Sequence, residues 1–271
     1  MCLILFAHKA HRDYPLIMAA NRDEAYARPS APAAFWDELP HICAGRDLGK
    51  GGTWLGITRA GRIAAVTNYR DPTAARDAPL SRGALVKDFL AAQAASRHYL
   101  SEVGARGDQY NGFILIAGDL ERLDWLSNRG PGVERIAPGV HGLSNHLLDT
   151  PWPKIQRARQ TMESLLSVGG TGLVAGLFEV LADRTQAPDH ELPDTGVGVQ
   201  RERELSSIFV SGGRYGTRAS TLILVHQDGS VLFVERSYGP LGVRLGEVAY
   251  RFDLQSITDP GPAVRPTAQQ G

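Results

Sequence analysis

The chain opens on an apolar run, Leu3-Ile4-Leu5-Phe6-Ala7, interrupted by the polar stretch from His8 to Asp13 and resumed as Tyr14-Pro15-Leu16-Ile17-Met18-Ala19-Ala20. Two apolar runs around a short polar turn predict a β-hairpin, with strands over 2–8 and 14–20. The second run gives way to Asn21-Arg22-Asp23-Glu24, a polar cluster expected where a buried strand ends. Pro29, Pro32 and Pro40 mark a loop or an extended edge. His41 to Asp47 reads as a short strand entering the turn Gly49-Lys50-Gly51-Gly52, and 53–58 with 62–67 reads as a second hairpin.

The period then changes. Leu85, Val86, Phe89 and Leu90 behind Ser81 predict a helix running to about Tyr99. Strands are expected over 112–117 and 122–127, and 132–136 with 139–144 as another short pair. Thr150-Pro151-Trp152-Pro153 supplies a capping hydroxyl and an initial proline. Ile155, Ala158, Met162 and Leu165 continue it as an amphipathic helix, followed by a more apolar one from Leu173 to Asp183. Residues 186–204 read as a long polar loop, of a length that in a compact domain is functional or disordered. Strands return over 206–210, 219–226, 230–235 and 241–253, and 258–271 reads as a flexible tail behind a single domain over 1–257. Antiparallel hairpins, then helices, then strands predict an α+β fold and not a parallel βαβ series.

Composition narrows the function. The 271 residues are 43% hydrophobic and 21% charged, with zero formal net charge, which argues against nucleic acid or an anionic membrane as the main partner. No apolar stretch approaches the roughly 20 residues of a membrane span, and the expectation is a cytoplasmic protein acting on a small molecule. The two cysteines, Cys2 and Cys43, form neither a disulfide framework nor a zinc pattern. The histidines stand in no metal-binding spacing, so neither a metal nor a cofactor is expected.

Cys2 carries the candidate chemistry. Removal of Met1 would leave a thiol and a free α-amine on one residue, with ordinary pKa values of about 8.5 and 8: a nucleophile and its general base together. Amide hydrolysis also needs oxyanion donors and groups that hold the amine. Asp23, Asn68, Asn145 and Arg218 each fall at an expected strand end. Cys43 reads as a packed strand cysteine, and Trp36, Trp54 and Trp152 as packing or pocket lining.

These segments carry a resemblance. Met1-Cys2, Asn21-Arg22-Asp23-Glu24, Gly45-Arg46-Asp47, Gly52-Thr53-Trp54-Leu55-Gly56, Thr67-Asn68-Tyr69-Arg70, Ser81-Arg82-Gly83, Gly142-Leu143-Ser144-Asn145, Pro151-Trp152-Pro153-Lys154 and Tyr215-Gly216-Thr217-Arg218 together resemble the NRDE family (Transport and Golgi organisation 2-like). More distantly, the chain is similar to the cholylglycine hydrolase and penicillin V acylase group of N-terminal nucleophile hydrolases. The resemblance implies a four-layer αββα sandwich of two antiparallel sheets and hydrolysis of a non-peptide carbon–nitrogen bond. It implies Cys2 as nucleophile and base, Asp23 holding the α-amine, Asn68 and Asn145 as oxyanion contacts, and Arg218 orienting the site. Asn21, Arg22, Arg46, Trp54, Tyr69 and Arg70 are expected around the substrate, and arginines left unpaired would favour a carboxylate. One departure is Ala20, where the hydrolase group has an arginine. Arg22 could replace it, but neighbours in a strand face opposite ways, so Arg22 and Asp23 would share a site only if the strand broke. The NRDE resemblance also implies an alternative, a non-catalytic carrier such as a haem-trafficking protein, whose arginines would meet the propionates.

Overall fold

A computed structural model describes residues 2–74, 78, 80–167 and 170–255. Met1 and the expected tail over 258–271 lie outside the described residues. The apolar runs at both ends of the chain build one antiparallel sheet. It contains β1 (Cys2–His8), β2 (Leu16–Ala25), β10 (Gly139–Leu143), β11 (Tyr215–Val225), β12 (Ser230–Tyr238) and β13 (Arg244–Asp253), in the order β10-β1-β2-β11-β12-β13. The stretch between builds the second: β3 (Ser30–Trp36), β4 (Leu39–Asp47), β5 (Leu55–Thr58), β6 (Ile63–Asn68), β7 (Phe113–Gly118), β8 (Leu123–Ser127) and β9 (Glu134–Arg135), in sequence order.

The central strands are apolar on both faces because both faces are covered. Ile4, Phe6, Met18 and Ala20 pack between the sheets against Leu55, Ile57, Ala65, Ile114 and Ile116. Their neighbours Leu3, Leu5, Ile17 and Ala19 pack outward against Ile155, Ala158, Met162 and Leu177 of α3 (Pro153–Leu165) and α4 (Gly170–Leu181). The outer face of the second sheet is covered by α1 (Arg82–Ala91) and α2 (Ser96–Ala105) through Leu85, Phe89, Leu100 and Val103. The layers are helix, sheet, sheet, helix, the αββα sandwich expected.

Several elements differ from the sequence reading. The polar cluster 21–24 lies inside β2, because the ladder to β11 continues to Ala25. The single helix expected from Ser81 to Tyr99 is two: Arg62 donates to the carbonyls of Phe89 (3.1 Å) and Ala94 (2.9 Å), satisfying backbone groups at the break. Segments 132–136 and 139–144 do not pair with each other. β9 joins β8 in one sheet and β10 joins β1 in the other. Residues 206–210 form no strand, and the polar stretch 186–204 contains most of a further helix, α5 (Val199–Leu205). Among the described residues, no helix is long and apolar enough to cross a membrane.

Candidate active site

β1 and β2 pair with Cys2 opposite Arg22, so the cysteine stands at the head of a central strand. The Asp23 backbone N–H lies toward the Cys2 thiol and favours its thiolate. Cys2 lines a cavity of about 100 Å³ whose walls include Arg22, Asp23, Trp54, Asn68 and Arg82. Burial raises the Cys2 pKa, the Asp23 carboxylate raises it further, and the Asp23 N–H and Arg22 act in opposition.

Arg22 and Asp23 share this cavity although β2 does not break. The irregularity lies in β11, where Thr217 pairs with Asp23 and Ala219 with Arg22, leaving Arg218 as a bulged residue between them. Arg22 places its guanidinium 4.2 Å from the centre of the Trp54 ring. It lies on the same face of β2 as Ala20, two residues further along. Asp23 is buried, with Oδ1 accepting the Thr217 hydroxyl at 2.7 Å. Burial raises its carboxyl above the usual range, against Lys154, the Thr217 bond and Arg70.

Asn145 is fully buried and donates through Nδ2 to the Asn68 carbonyl at 2.9 Å, joining the ends of β10 and β6 beside the thiol. Its Oδ1 accepts from Ser144 at 3.3 Å and from Arg70 at 3.4 Å. Arg70 forms a buried ion pair with Glu202 of α5 and lies 4.8 Å over Trp152. Tyr69 bonds His146 at 2.8 Å. Because the Thr150 hydroxyl donates to the Leu147 carbonyl, it accepts from His146 Nδ1, which leaves Nε2 to accept from Tyr69.

Three expected site residues are placed elsewhere. Asn21 points to the helical side of β2, where its amide donates to the Leu181 (2.8 Å) and Ile208 (2.9 Å) carbonyls and accepts from Ser220. Arg46 lies on Trp36 at 4.3 Å and pairs with Glu38, with the neighbouring Gly45 turned to Trp54 instead. Arg218 donates to the carbonyls of Ala25 and Arg28, holding the β2–β3 turn, and lines an adjoining cavity of about 310 Å³.

Lys154, Thr217 and Glu202 were not expected as site residues, and Arg82 was expected only as one of the motif arginines that, if unpaired, would favour a carboxylate. Arg82 and Lys154 lie in the motif segments quoted above, but nothing local distinguishes them from surface cations. Glu202 stands in a stretch with little pattern. Lys154 is buried and donates from Nζ to the Leu205 carbonyl at 3.0 Å. Burial lowers its pKa to about 8, with Arg70 adding and Asp23, Cys2 and Glu202 opposing. Among the described residues, no group of three or more His, Cys, Asp or Glu side chains is placed to hold a metal ion.

Fold and site together define an antiparallel αββα protein with a strand-head cysteine in a small polar cavity. The chain belongs to the Transport and Golgi organisation 2 family, whose model matches residues 1–240. It is 42% identical to the Transport and Golgi organization protein 2 homolog of Bos taurus, over 94% of this chain and all of that protein. It is 28% identical to the Drosophila melanogaster Transport and Golgi organization protein 2, over 88% of this chain and 92% of that one. Among solved structures, the Caenorhabditis elegans N-acylethanolamine-hydrolyzing acid amidase ortholog aligns with a TM-score of 0.45 at 14% identity, over 82% of this chain and 92% of that one. The C2A mutant of a conjugated bile acid hydrolase from Clostridium perfringens aligns with a TM-score of 0.43 at 10% identity, over 94% and 92%.

Proposed function

We propose that the protein is an N-terminal-cysteine amidohydrolase of a non-peptide carbon–nitrogen bond in a small molecule, working in the cytoplasm after removal of Met1. The observation that carries the reading is that Cys2, Asp23 and Asn68 line one polar cavity at the head of a central strand. In this reading the free α-amine takes the thiol proton and the sulfur attacks the carbonyl carbon. Asn68, with Asn145 behind it, steadies the developing oxyanion. The carbon–nitrogen bond breaks, the amine leaves with the proton, and water then cleaves the thioester with the α-amine again as base. The new α-ammonium would lie beside the buried Asp23 carboxylate. Arg22 supplies a guanidinium from a position two residues along from Ala20. Beside Cys2 the carrier alternative has less support, because a cavity of about 100 Å³ there admits a scissile group and not a macrocycle.

The test is mass spectrometry of protein purified from cells, before and after a thiol-reactive probe at neutral pH, with Cys2→Ser as control. The expected result is a mature chain beginning at Cys2 and one probe adduct, absent in the variant. Active protein that retains Met1 overturns the reading.

A further inference from the structure

The two sheets have four edges, and three of them are poor templates for another strand. β9 is two residues long. β3 contains Pro32 and two irregularities of register. β10 is five residues long, and Asp149 occupies its free side: the Asp149 N–H donates to the Gly142 carbonyl at 2.9 Å, and the Gly142 N–H to Asp149 Oδ1 at 2.8 Å. β13 is different. It runs ten residues without a proline and keeps regular register with β12 from Gly246 to Asp253. Among the described residues no strand pairs with its other side. A bare edge of this length invites another strand.

The head of this edge is apolar. Leu241, Val243 and Leu245 are 66%, 60% and 69% exposed, and half of the large hydrophobic side chains left exposed among the described residues lie in this one segment. Along the strand, Val248, Tyr250 and Phe252 pack toward the second sheet, whereas Glu247, Ala249 and Arg251 are exposed on the opposite face. Glu247 accepts from Arg236 and from Arg244 at 2.8 Å, both through Oε2, which leaves Oε1 for a further donor. Arg251 makes no hydrogen bond or ion pair within the chain among the described residues.

We infer that β13 pairs antiparallel with β13 of a second copy of this chain, about a two-fold axis at Ala249, joining two six-stranded sheets into one. Charge selects that register. Side chains directly opposed in a sheet share a face, so two-fold pairing of a strand with its copy must centre on one residue, which then meets itself. Centred on Glu247 or Arg251, like charges meet. Centred on Tyr250, Glu247 meets Asp253. Centred on Val248, Glu247 meets Ala249 and Arg251 meets Leu245. Centred on Ala249, Glu247 of each copy stands opposite Arg251 of the other, and the symmetry forms this ion pair twice. On the same face Leu245 stands diagonally from Arg251 of the second copy, whose methylene stem covers it. On the other face Gly246, where a Cβ would meet nothing within 4 Å, stands opposite Phe252 of the second copy. The pairing is independent of the chemistry at Cys2.

Sedimentation velocity of the full chain tests the pairing. The expected result is a reversible dimer with a Kd of about 1–100 µM, in keeping with a small interface. Ala249→Glu, at an exposed position, sets two carboxylates face to face on the axis and should abolish it. Arg251→Glu and Glu247→Arg should each weaken association about tenfold or more, and the double exchange, which restores opposite charges across the pair, should recover it. Unfolding curves establish that each variant folds. If Glu247→Arg does not, Ala249→Cys decides the register: opposed strand residues lie about 4.5–5.5 Å apart at Cα, within reach of a disulfide. Ala249→Cys should therefore link two copies through residue 249 under mild oxidation, and Arg251→Cys should not link through 251. A chain that stays monomeric at about 100 µM, the weak end of that range, overturns the inference, as does a dimer that survives Ala249→Glu. Hydrogen exchange over 244–253 separates a second copy from an occupant within the chain. Protection that rises with concentration supports the pairing, and protection that does not change with concentration overturns it.

Discussion

The Thr217 hydroxyl donates to Asp23 Oδ1 at 2.7 Å, and the Thr217 Oγ1 itself accepts the Val210 N–H at 2.9 Å. One small side chain thus ties the site carboxylate to the segment entering β11, immediately before the bulge at Arg218. Thr217→Val keeps the shape but removes one donor from Asp23 and leaves the Val210 N–H without this acceptor. The expected loss is about 1–3 kcal/mol in denaturant unfolding. Thr217→Ser should recover most of it. Equal stability of the Val and Ser variants would show that the hydroxyl contributes nothing.

Trp54 can stack on Arg22 because Gly45 leaves it space. A Cβ at Gly45 would stand 2.3 Å from two atoms of the indole. Gly45→Ala is therefore expected to displace the ring, shift tryptophan fluorescence and cost about 1–3 kcal/mol. Gly52→Ala should be worse, since its Cβ would stand 2.4 Å from the Gly83 backbone carbonyl carbon, which cannot rotate away. A Gly52 variant as stable as the wild type would contradict this close approach of the Trp54 segment to the start of α1.

The α+β class was legible in the order of hairpins, helices and strands, whereas the four layers came with the family resemblance; in the structure, continuous apolar runs such as 3–7 and 113–117 are covered on both faces. Cys2 and Asp23 were legible as candidates because a strand head and a polar cluster each leave a local mark, and the structure places both on one cavity. What the sequence did not show depends on distant partners. Asn21 and Asp23 look alike in a polar cluster, yet one amide is spent on the Leu181 and Ile208 carbonyls and the carboxylate turns to Thr217. Arg46 and Arg82 are both motif arginines, and only tertiary packing puts Glu38 beside the first and Cys2 near the second. The break between α1 and α2 depends on Arg62, from another strand hairpin, and the run Ala91-Ala92-Gln93-Ala94-Ala95 contains no residue that stops a helix.

His141 of β10 and Asp149 form a pair at 2.7 Å that should give stability a distinct pH window. Burial alone would lower His141, but the Asp149 carboxylate and the Ala137 carbonyl outweigh it and raise the imidazole. Burial would raise Asp149, and His141, the Gly142 N–H and Arg159 outweigh that and lower it. A raised histidine contributes fully below its unfolded pKa and loses that contribution as pH rises through the folded value. A lowered aspartate contributes above its unfolded pKa and loses it as pH falls through the folded value. The pair is therefore worth most between about pH 4 and 6.5. Asp149→Asn removes the charge and tolerates the positive φ of 57° at this position. The variant should be less stable by about 1 kcal/mol near pH 5.5. The gap should narrow by about pH 8.5 as His141 discharges, leaving the part due to Arg159, 3.5 Å from the other oxygen. A gap that widens toward high pH would reverse the assignment.

Lys154 should impose the opposite slope. Burial lowers its pKa to about 8, against about 10.4 in an unfolded chain. Between those values the folded protein binds fewer protons than the unfolded one, so this group makes stability rise with pH. The cost of burying the ammonium is complete below about pH 8 and is relieved as pH climbs toward 10. Lys154→Met removes the titration, although it also leaves the Leu205 carbonyl without its donor and Asp23 and Glu202 without this nearby cation. The variant is expected to be less stable throughout. Its deficit should grow by about 1–2 kcal/mol between pH 8 and 9.5, because only the wild type gains from losing the proton. Denaturant unfolding at a series of pH values measures the difference directly. Parallel curves for the two proteins would mean that Lys154 keeps its charge across this range and that Asp23, Cys2 and Glu202 together offset its burial.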